Sequence, residues 1–158
     1  MIRTGIGYDS HRLVAGRPLI LGGQRIPHDR GLDGHSDADA VAHALTDAIL
    51  GAAAHGDIGR LFPDSDPQWK GADSMVLLRL ACEQVVRGGF IPRQADITVI
   101  LERPRLIPFI PAMITELSRA TGIPADSLSV KAKTNEGMGF IGRGEGIAVM
   151  AVATVEST

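Results

Sequence analysis

The 158 residues carry 16 Lys and Arg against 18 Asp and Glu, a formal net charge of −2, with 44% hydrophobic and 22% charged residues. That balance excludes a disordered chain and a broadly basic surface for nucleic acid or anionic membrane, and it predicts one domain spanning 1–158 with a sizeable core. Cys82 is the only cysteine, which excludes an intramolecular disulfide and fits a reducing cytoplasm. The N-terminus MIRTGIGYDSHR has no apolar leader core, and no later run is long and apolar enough to span a bilayer. A soluble cytoplasmic protein with no nucleic-acid or membrane partner is expected.

Residues 2–8 read as a strand, and Asp9-Ser10-His11 stands where that strand is expected to end. On extended chain the i and i+2 side chains point to one side, so Asp9 and His11 can hold one ion together; the same spacing also suits a plain polar strand-end turn. Leu19-Ile20-Leu21, Gly22-Gly23 and Gln24-Arg25-Ile26-Pro27 predict a hairpin with a tight glycine turn. Residues 34–54, GHSDADAVAHALTDAILGAAA, predict the central helix. Within it His35, Asp39, His43 and Asp47 recur every fourth residue and give a polar stripe, opposite Val41, Ala44, Leu45, Ala48, Ile49 and Ala52. Ser36 is the expected N-cap, with Asp39 three residues on, and Gly56 the stop.

Residues 56–67 carry Gly, Pro and three Asp and are expected to form a long mobile flap over a site. Residues 74–87 predict a second amphipathic helix, capped by Asp73 or Ser74 and ended by Gly88-Gly89. A strand over 96–101 is broken by Glu102-Arg103-Pro104-Arg105, and Pro111 opens a third helix to about residue 121. A strand over 129–132 leads to a turn at 134–140. The last strand, 147–155, alternates poorly, which predicts burial on both sides. Together these elements predict an α+β fold, a mixed β-sheet with helices packed on one face.

Asp9, His11 and His43 make a set of two histidines and one carboxylate. Three protein ligands with a position left open is the pattern of a catalytic zinc, and the ligand types also admit iron or manganese. Glu136, on a glycine-rich turn, can hold a second, harder ion such as magnesium or manganese. Two divalent ions suit phosphoryl chemistry, and the KTNEGMGF and GRGEG turns offer backbone N–H groups to phosphate. Glycine turns commonly serve only to turn, and neither matches a P-loop or dinucleotide fingerprint. On these residues alone the chain holds a divalent metal beside a phosphorylated ligand, and no substrate can be named.

The segments GYDSH, RIPHDRGLDGHSDADAVAHALTDAILGAAAHGDIGRLFPDSDP, KGADS, DITVILERPRLIP, KAKTNEGMGF and GRGEGIA closely resemble, in order and over essentially the whole chain, the 2-C-methyl-D-erythritol 2,4-cyclodiphosphate synthase family. The resemblance implies a homotrimer with its sheets around the threefold axis and active sites between subunits. It implies conversion of 4-diphosphocytidyl-2-C-methyl-D-erythritol 2-phosphate to the 2,4-cyclodiphosphate with release of CMP, a phosphorus–oxygen lyase step of the non-mevalonate isoprenoid route. By the same resemblance Asp9, His11 and His43 look like zinc ligands, and His35 and Thr134 like the residues that position the phosphates and stabilise the transition state. Glu136 resembles the contact to a magnesium or manganese ion on the diphosphate.

Further substrate contacts are implied for Asp9, Ser10, His11, His35 and Ser36, and for Asp57, Ile58, Gly59, Phe62, Pro63, Asp64, Ser65 and Asp66 around the methylerythritol. Leu101, Pro104, Arg105, Leu106, Ile107, Lys133 and Thr134 resemble the cytidine pocket on the neighbouring chain, and Asn135, Glu136, Phe140 and Arg143 are implied as further substrate contacts. Arg143 and Glu145 resemble residues at the threefold axis, where some members hold a prenyl diphosphate. Lys133-Thr134-Asn135-Glu136 departs from the Thr-Thr-Thr-Glu of some members but keeps Thr134 and Glu136. Two other classes fit parts of the pattern: a metal-dependent nucleotide phosphohydrolase, and a non-catalytic trimer that binds prenyl diphosphates. The presence of both His43 and Thr134 counts against the second.

Overall fold

A computed structural model describes residues 1–158. Along the chain run β1 (Ile2–Ala15), β2 (Leu19–Leu21), β3 (Gln24–Ile26), β4 (Arg30–Leu32), α1 (Ala40–Ala52), α2 (Ile58–Leu61), α3 (Ser74–Arg87), β5 (Phe90–Ile100), α4 (Ile110–Thr121), β6 (Leu128–Lys133), α5 (Gly139–Gly142) and β7 (Gly146–Ser157). Five strands form one sheet in the order β4-β1-β7-β5-β6, while β2 and β3 pair as the expected hairpin. β5 and β6 are parallel and the other neighbours antiparallel, so the sheet is mixed. Helices α1, α3 and α4 cover one face, giving the expected α+β architecture. No helix is long and apolar enough to cross a membrane.

The two faces of the sheet differ because β1 alternates. Ile2, Ile6 and Tyr8 point outward and are exposed, while Gly5, Gly7, Asp9, His11 and Leu13 turn toward α1. A Cβ on Gly5 would lie 2.1 Å from the Ala48 carbonyl oxygen, and one on Gly7 only 1.9 Å from that of Ala44. Only glycine on the strand, met by alanines on the helix, allows this approach. Buried aliphatic side chains, among them Leu45, Ile49, Leu78, Ile97, Val99, Leu117 and Val149, fill the layer between sheet and helices. Burying each stabilises the fold by about 1.5–3 kcal/mol relative to exposure.

Several local features differ from the sequence expectation. β1 does not end at Tyr8: β7 pairs with it from Ile2 to Arg12, and β4 takes over at Leu13. Asp9-Ser10-His11 therefore sits inside a strand. Asp39, not Ser36, is the N-cap of α1, its carboxylate accepting from the Ala42 N–H at 3.0 Å. His35 precedes the helix, which breaks the four-residue stripe. Asp39 also accepts from Gly22 and Gly23 N–H at 2.9 and 2.8 Å, tying the hairpin to the helix start. Burial pushes its carboxyl up to about 6, with Asp37 acting in the same direction against those three donors.

The flap segment has structure of its own. It holds α2 and a 3-10 turn at Pro67–Trp69, and buried Phe62 packs edge-on against Trp69 at 4.9 Å. β5 begins at Phe90 rather than Asp96, with a register irregularity between Pro92 and Gln94 that leaves Arg93 out of the pairing with β7. β7 is not buried on both sides, because Met150 and Val152 stand exposed on the outward face.

Candidate active site

Asp9 and His11 leave β1 on its helix-facing side, and the close seating of α1 brings His43 to meet them. Asp9 Oδ2 lies 2.8 Å from His11 Nε2 and 3.1 Å from His43 Nδ1, and the two ring nitrogens are 3.4 Å apart. The other nitrogen of His11, Nδ1, donates to the Asp33 carbonyl at 2.6 Å. A carbonyl only accepts, so Nδ1 carries a proton, and in the neutral ring Nε2 is left as an acceptor facing the Asp9 carboxylate. Two acceptors at 2.8 Å need positive charge between them, a proton or a metal ion.

These three ligand atoms are the ones in the chain grouped to hold a metal ion. Their separations approach the edges of roughly 3.3 Å expected for ligands about 2.0–2.1 Å from a tetrahedral zinc. Burial opposes the charge on Asp9, yet hydrogen bonds and charge from His11 and His43 hold its carboxyl below the ordinary value. Burial likewise opposes the imidazolium of His11, but the hydrogen bond and charge of Asp9 raise it. The donor set therefore fits a divalent transition metal.

A cavity of about 350 Å³ opens beside the triangle. His35 and Ser36 line it from the loop before α1, and Ile58, Gly59, Phe62, Pro63 and Asp64 line it from the flap segment. His35 Nε2 is buried and has no protein partner. Asp57 caps α2 by accepting from Arg60 N–H at 2.9 Å, and Asp66 caps the following turn by accepting from Gln68 N–H at 3.1 Å. Ser65 is exposed and does not line the cavity. Ile58 N–H donates to Asp47 Oδ1 at 2.7 Å, one helical turn beyond His43. Burial pushes the Asp47 carboxyl up, and that N–H opposes the shift.

Thr134 is not beside the metal ligands. It lines a second cavity of about 210 Å³ with Leu101, Pro104, Arg105, Leu106, Ile107 and Lys133. The ends of β5 and β6 meet there, Leu101 N–H donating to the Lys133 carbonyl at 2.9 Å. Glu102 accepts from Asn135 and Gly137 N–H at 2.8 and 3.2 Å and holds the turn in which exposed Glu136 takes φ 53°. The two cavities share no lining residue.

A third cavity, about 370 Å³, is lined by Ser10, Arg12, Phe140 and Glu145. Ser10 alternates to the strand face opposite Asp9 and His11, so its side chain is not part of the metal triangle. Arg143 pairs with Glu145 at 2.8 Å and lines a separate cavity with Arg30 and Arg103.

Residues 2–156 match the YgbB family. The chain belongs to that family. The 2-C-methyl-D-erythritol 2,4-cyclodiphosphate synthase of Salinibacter ruber is 57% identical over 156 residues, 99% of each chain. A solved 2C-methyl-D-erythritol-2,4-cyclodiphosphate synthase with CDP bound is 44% identical, covers 98% of this chain and 100% of that one, and has a TM-score of 0.89. The bifunctional IspDF of Campylobacter jejuni, also 44% identical, matches all of this chain with a TM-score of 0.96, and the match spans 43% of that longer protein.

Beyond the residues carried over from the cyclodiphosphate synthase resemblance, the structure adds Asp33, Asp47 and Glu102. Asp47 shared the helical spacing of His43, a signal that placed it near the site without giving it a task. Asp33 acts through its main-chain carbonyl, which no side-chain pattern can reveal. Glu102 was legible only as part of a strand-breaking cluster.

Proposed function

We propose that residues 1–158 form one cyclodiphosphate synthase domain that converts 4-diphosphocytidyl-2-C-methyl-D-erythritol 2-phosphate to 2-C-methyl-D-erythritol 2,4-cyclodiphosphate and CMP. The observation that carries this reading is the Asp9–His11–His43 triangle beside the flap cavity, in a chain that matches the family nearly end to end. The reaction is a phosphorus–oxygen lyase step of the non-mevalonate isoprenoid route. An oxygen of the 2-phosphate attacks the β-phosphorus. The bond from that phosphorus to the bridging oxygen breaks, and its electron pair leaves with CMP. Both reacting groups belong to one molecule, so the chain's work is orientation and the offsetting of charge.

Asp9, His11 and His43 would hold zinc, which would supply Lewis acidity toward phosphate. His35, whose Nε2 is free of protein partners, donates to the phosphate at the metal side. Thr134 donates from the nucleotide side, and Glu136 would hold a magnesium or manganese ion, which would offset diphosphate charge. Ile58, Gly59, Phe62, Pro63 and Asp64 enclose the methylerythritol, Asp57 and Asp66 cap the turns of the same segment, and the cavity of Leu101, Arg105 and Lys133 takes the cytidine. The CDP-bound relative supports a cytidine nucleotide as part of the ligand.

The working enzyme in this reading is a homotrimer. Two observations support it: the metal cavity and the Thr134 cavity are separate within one chain, and the outward sheet face exposes Ile2, Ile6, Tyr8, Met150 and Val152. Arg143 and Glu145 then gather near the threefold axis, suited to a prenyl diphosphate. Buried, free Cys82, its thiol pushed up to about 12 by burial and Glu83, agrees with the cytoplasm. Purified protein given the substrate with magnesium or manganese should yield a cyclic diphosphate and CMP by phosphorus NMR, lost on stripping zinc and restored with it. Inorganic phosphate and an open product would replace this reading with a hydrolase.

A further inference from the structure

His43 is the one metal-ligating imidazole whose second nitrogen meets side chains instead of main chain. Its Nε2 lies 2.8 Å from Ser74 Oγ and 3.1 Å from Ser36 Oγ. Ser74 is fully buried at the start of α3, and its hydroxyl donates to Asp37 Oδ1. Asp37 is itself held in place: Oδ2 accepts from Ser74 N–H at 3.1 Å, and Oδ1 from Asp39 N–H at 3.1 Å. A hydroxyl has one proton. With that proton given to a carboxylate, the Ser74 oxygen can only accept from His43, so Nε2 must carry hydrogen. The Nδ1 lone pair is then fixed toward Asp9 and His11.

We infer that Asp37 and Ser74 are positioning residues that set the tautomer and ring orientation of His43 for metal binding, an inference that rests on the metal reading of the triangle above. Asp37 also helps tie down the chain that follows the flap segment. Gly71 N–H donates to the His35 carbonyl at 2.8 Å, and Asp37 N–H to that of Ala72 at 3.0 Å. The segment that lines the cavity is thus anchored beside the carboxylate that orients the metal ligand. His11 has a main-chain carbonyl in the equivalent place. The relay through Asp37 is therefore the half of the metal support that substitution can reach.

The test measures zinc affinity by competition with a chromophoric chelator, and the visible spectrum of the cobalt(II)-substituted protein, in the parent, Ser74→Ala, Asp37→Asn and the double variant. Removing such supporting partners weakens metal binding by about 10–100-fold. In Asp37→Asn the amide can donate to the hydroxyl, which frees Ser74 to donate to Nε2 and favours the wrong tautomer. Each single variant should therefore lose about 10–100-fold in zinc affinity and shift the cobalt bands, with the metal-free fold unchanged by circular dichroism. The double variant should bind zinc no more weakly than Ser74→Ala, because Asp37 acts through that hydroxyl. Affinities within about threefold of the parent, or losses that multiply in the double variant, would overturn the relay. Should Ser74→Ala fail to fold, Asp37→Asn decides alone by the same affinity and spectrum. A parent that takes up no zinc would instead overturn the metal reading itself.

Discussion

The triangle of Asp9, His11 and His43 is built from side chains that leave a strand and a helix, whereas the cavity of Leu101, Arg105 and Thr134 is shaped by the turns at the ends of β5 and β6. In the first, position is set by regular elements pressed together: alternation puts Asp9 and His11 on one face, and the alanines of α1 let His43 reach them. In the second, position is set by where the main chain goes, with one carboxylate, Glu102, satisfying two turn N–H groups. The first should be brittle to single substitutions and the second tolerant of most of them. That difference orders the expected effects of mutation.

Removing a ligand breaks the first region most directly. His43→Ala should cut turnover by about a thousandfold, ~4 kcal/mol of barrier, with zinc content falling and the assembled state unchanged. Full activity in this variant, or in metal-depleted parent, would sink the ligand assignment. Gly7→Ala attacks the seating of the helix instead of the ligand. The added methyl has no room beside the Ala44 carbonyl, so strand and helix must part, at a cost of about 3 kcal/mol of folding stability. A urea midpoint close to the parent's would mean that α1 can shift without strain.

Asp39→Asn tests the buried start of α1. An amide nitrogen in place of one carboxylate oxygen faces an N–H donor, Gly22, Gly23 or Ala42, and should cost about 2 kcal/mol. The effect has a pH signature. Asp39 titrates near 6 when folded against an ordinary 3.8, so its contribution to stability is fully present below 3.8 and is lost as pH rises through 6. The gap between parent and variant should therefore narrow from acid toward neutral pH. A gap that widens would mean the charged form is the one the three N–H groups stabilise.

The same contrast explains what could be read from the sequence. The hairpin, α3 and α4 follow from glycine turns, apolar period and Pro111, all local signals, and each is found. Asp9 and His11 share a face by strand period alone, and His43 was visible by its place on the helix. The N-cap was misplaced because Ser36, Asp37 and Asp39 are all good caps; long-range donors from Gly22 and Gly23 decide for Asp39. β1 was cut short because polar Asp9-Ser10-His11 reads as a turn, while its pairing with β7, distant in sequence, keeps it extended. The roles of Asp33 and Glu102 were hidden because a main-chain atom makes each bond, Asp33's own carbonyl toward His11 and the Asn135 N–H toward Glu102.

The smallest effects belong to the second cavity, and they separate its one structural side chain from its lining. Glu102→Ala leaves the Asn135 and Gly137 N–H groups to water, which should weaken CMP binding about fivefold, ~1 kcal/mol, with little change in turnover of bound substrate. Arg105→Ala removes a larger side chain from the same cavity, yet it leaves the strand ends and the turn where they are. If main chain reads the nucleotide, its effect on CMP affinity should stay within about twofold, below 0.5 kcal/mol. Isothermal titration of both variants with CMP ranks them. A loss at Arg105 larger than the loss at Glu102 would mean that the guanidinium, not the turn geometry, holds the ligand, and the two cavities would then be built by the same means after all.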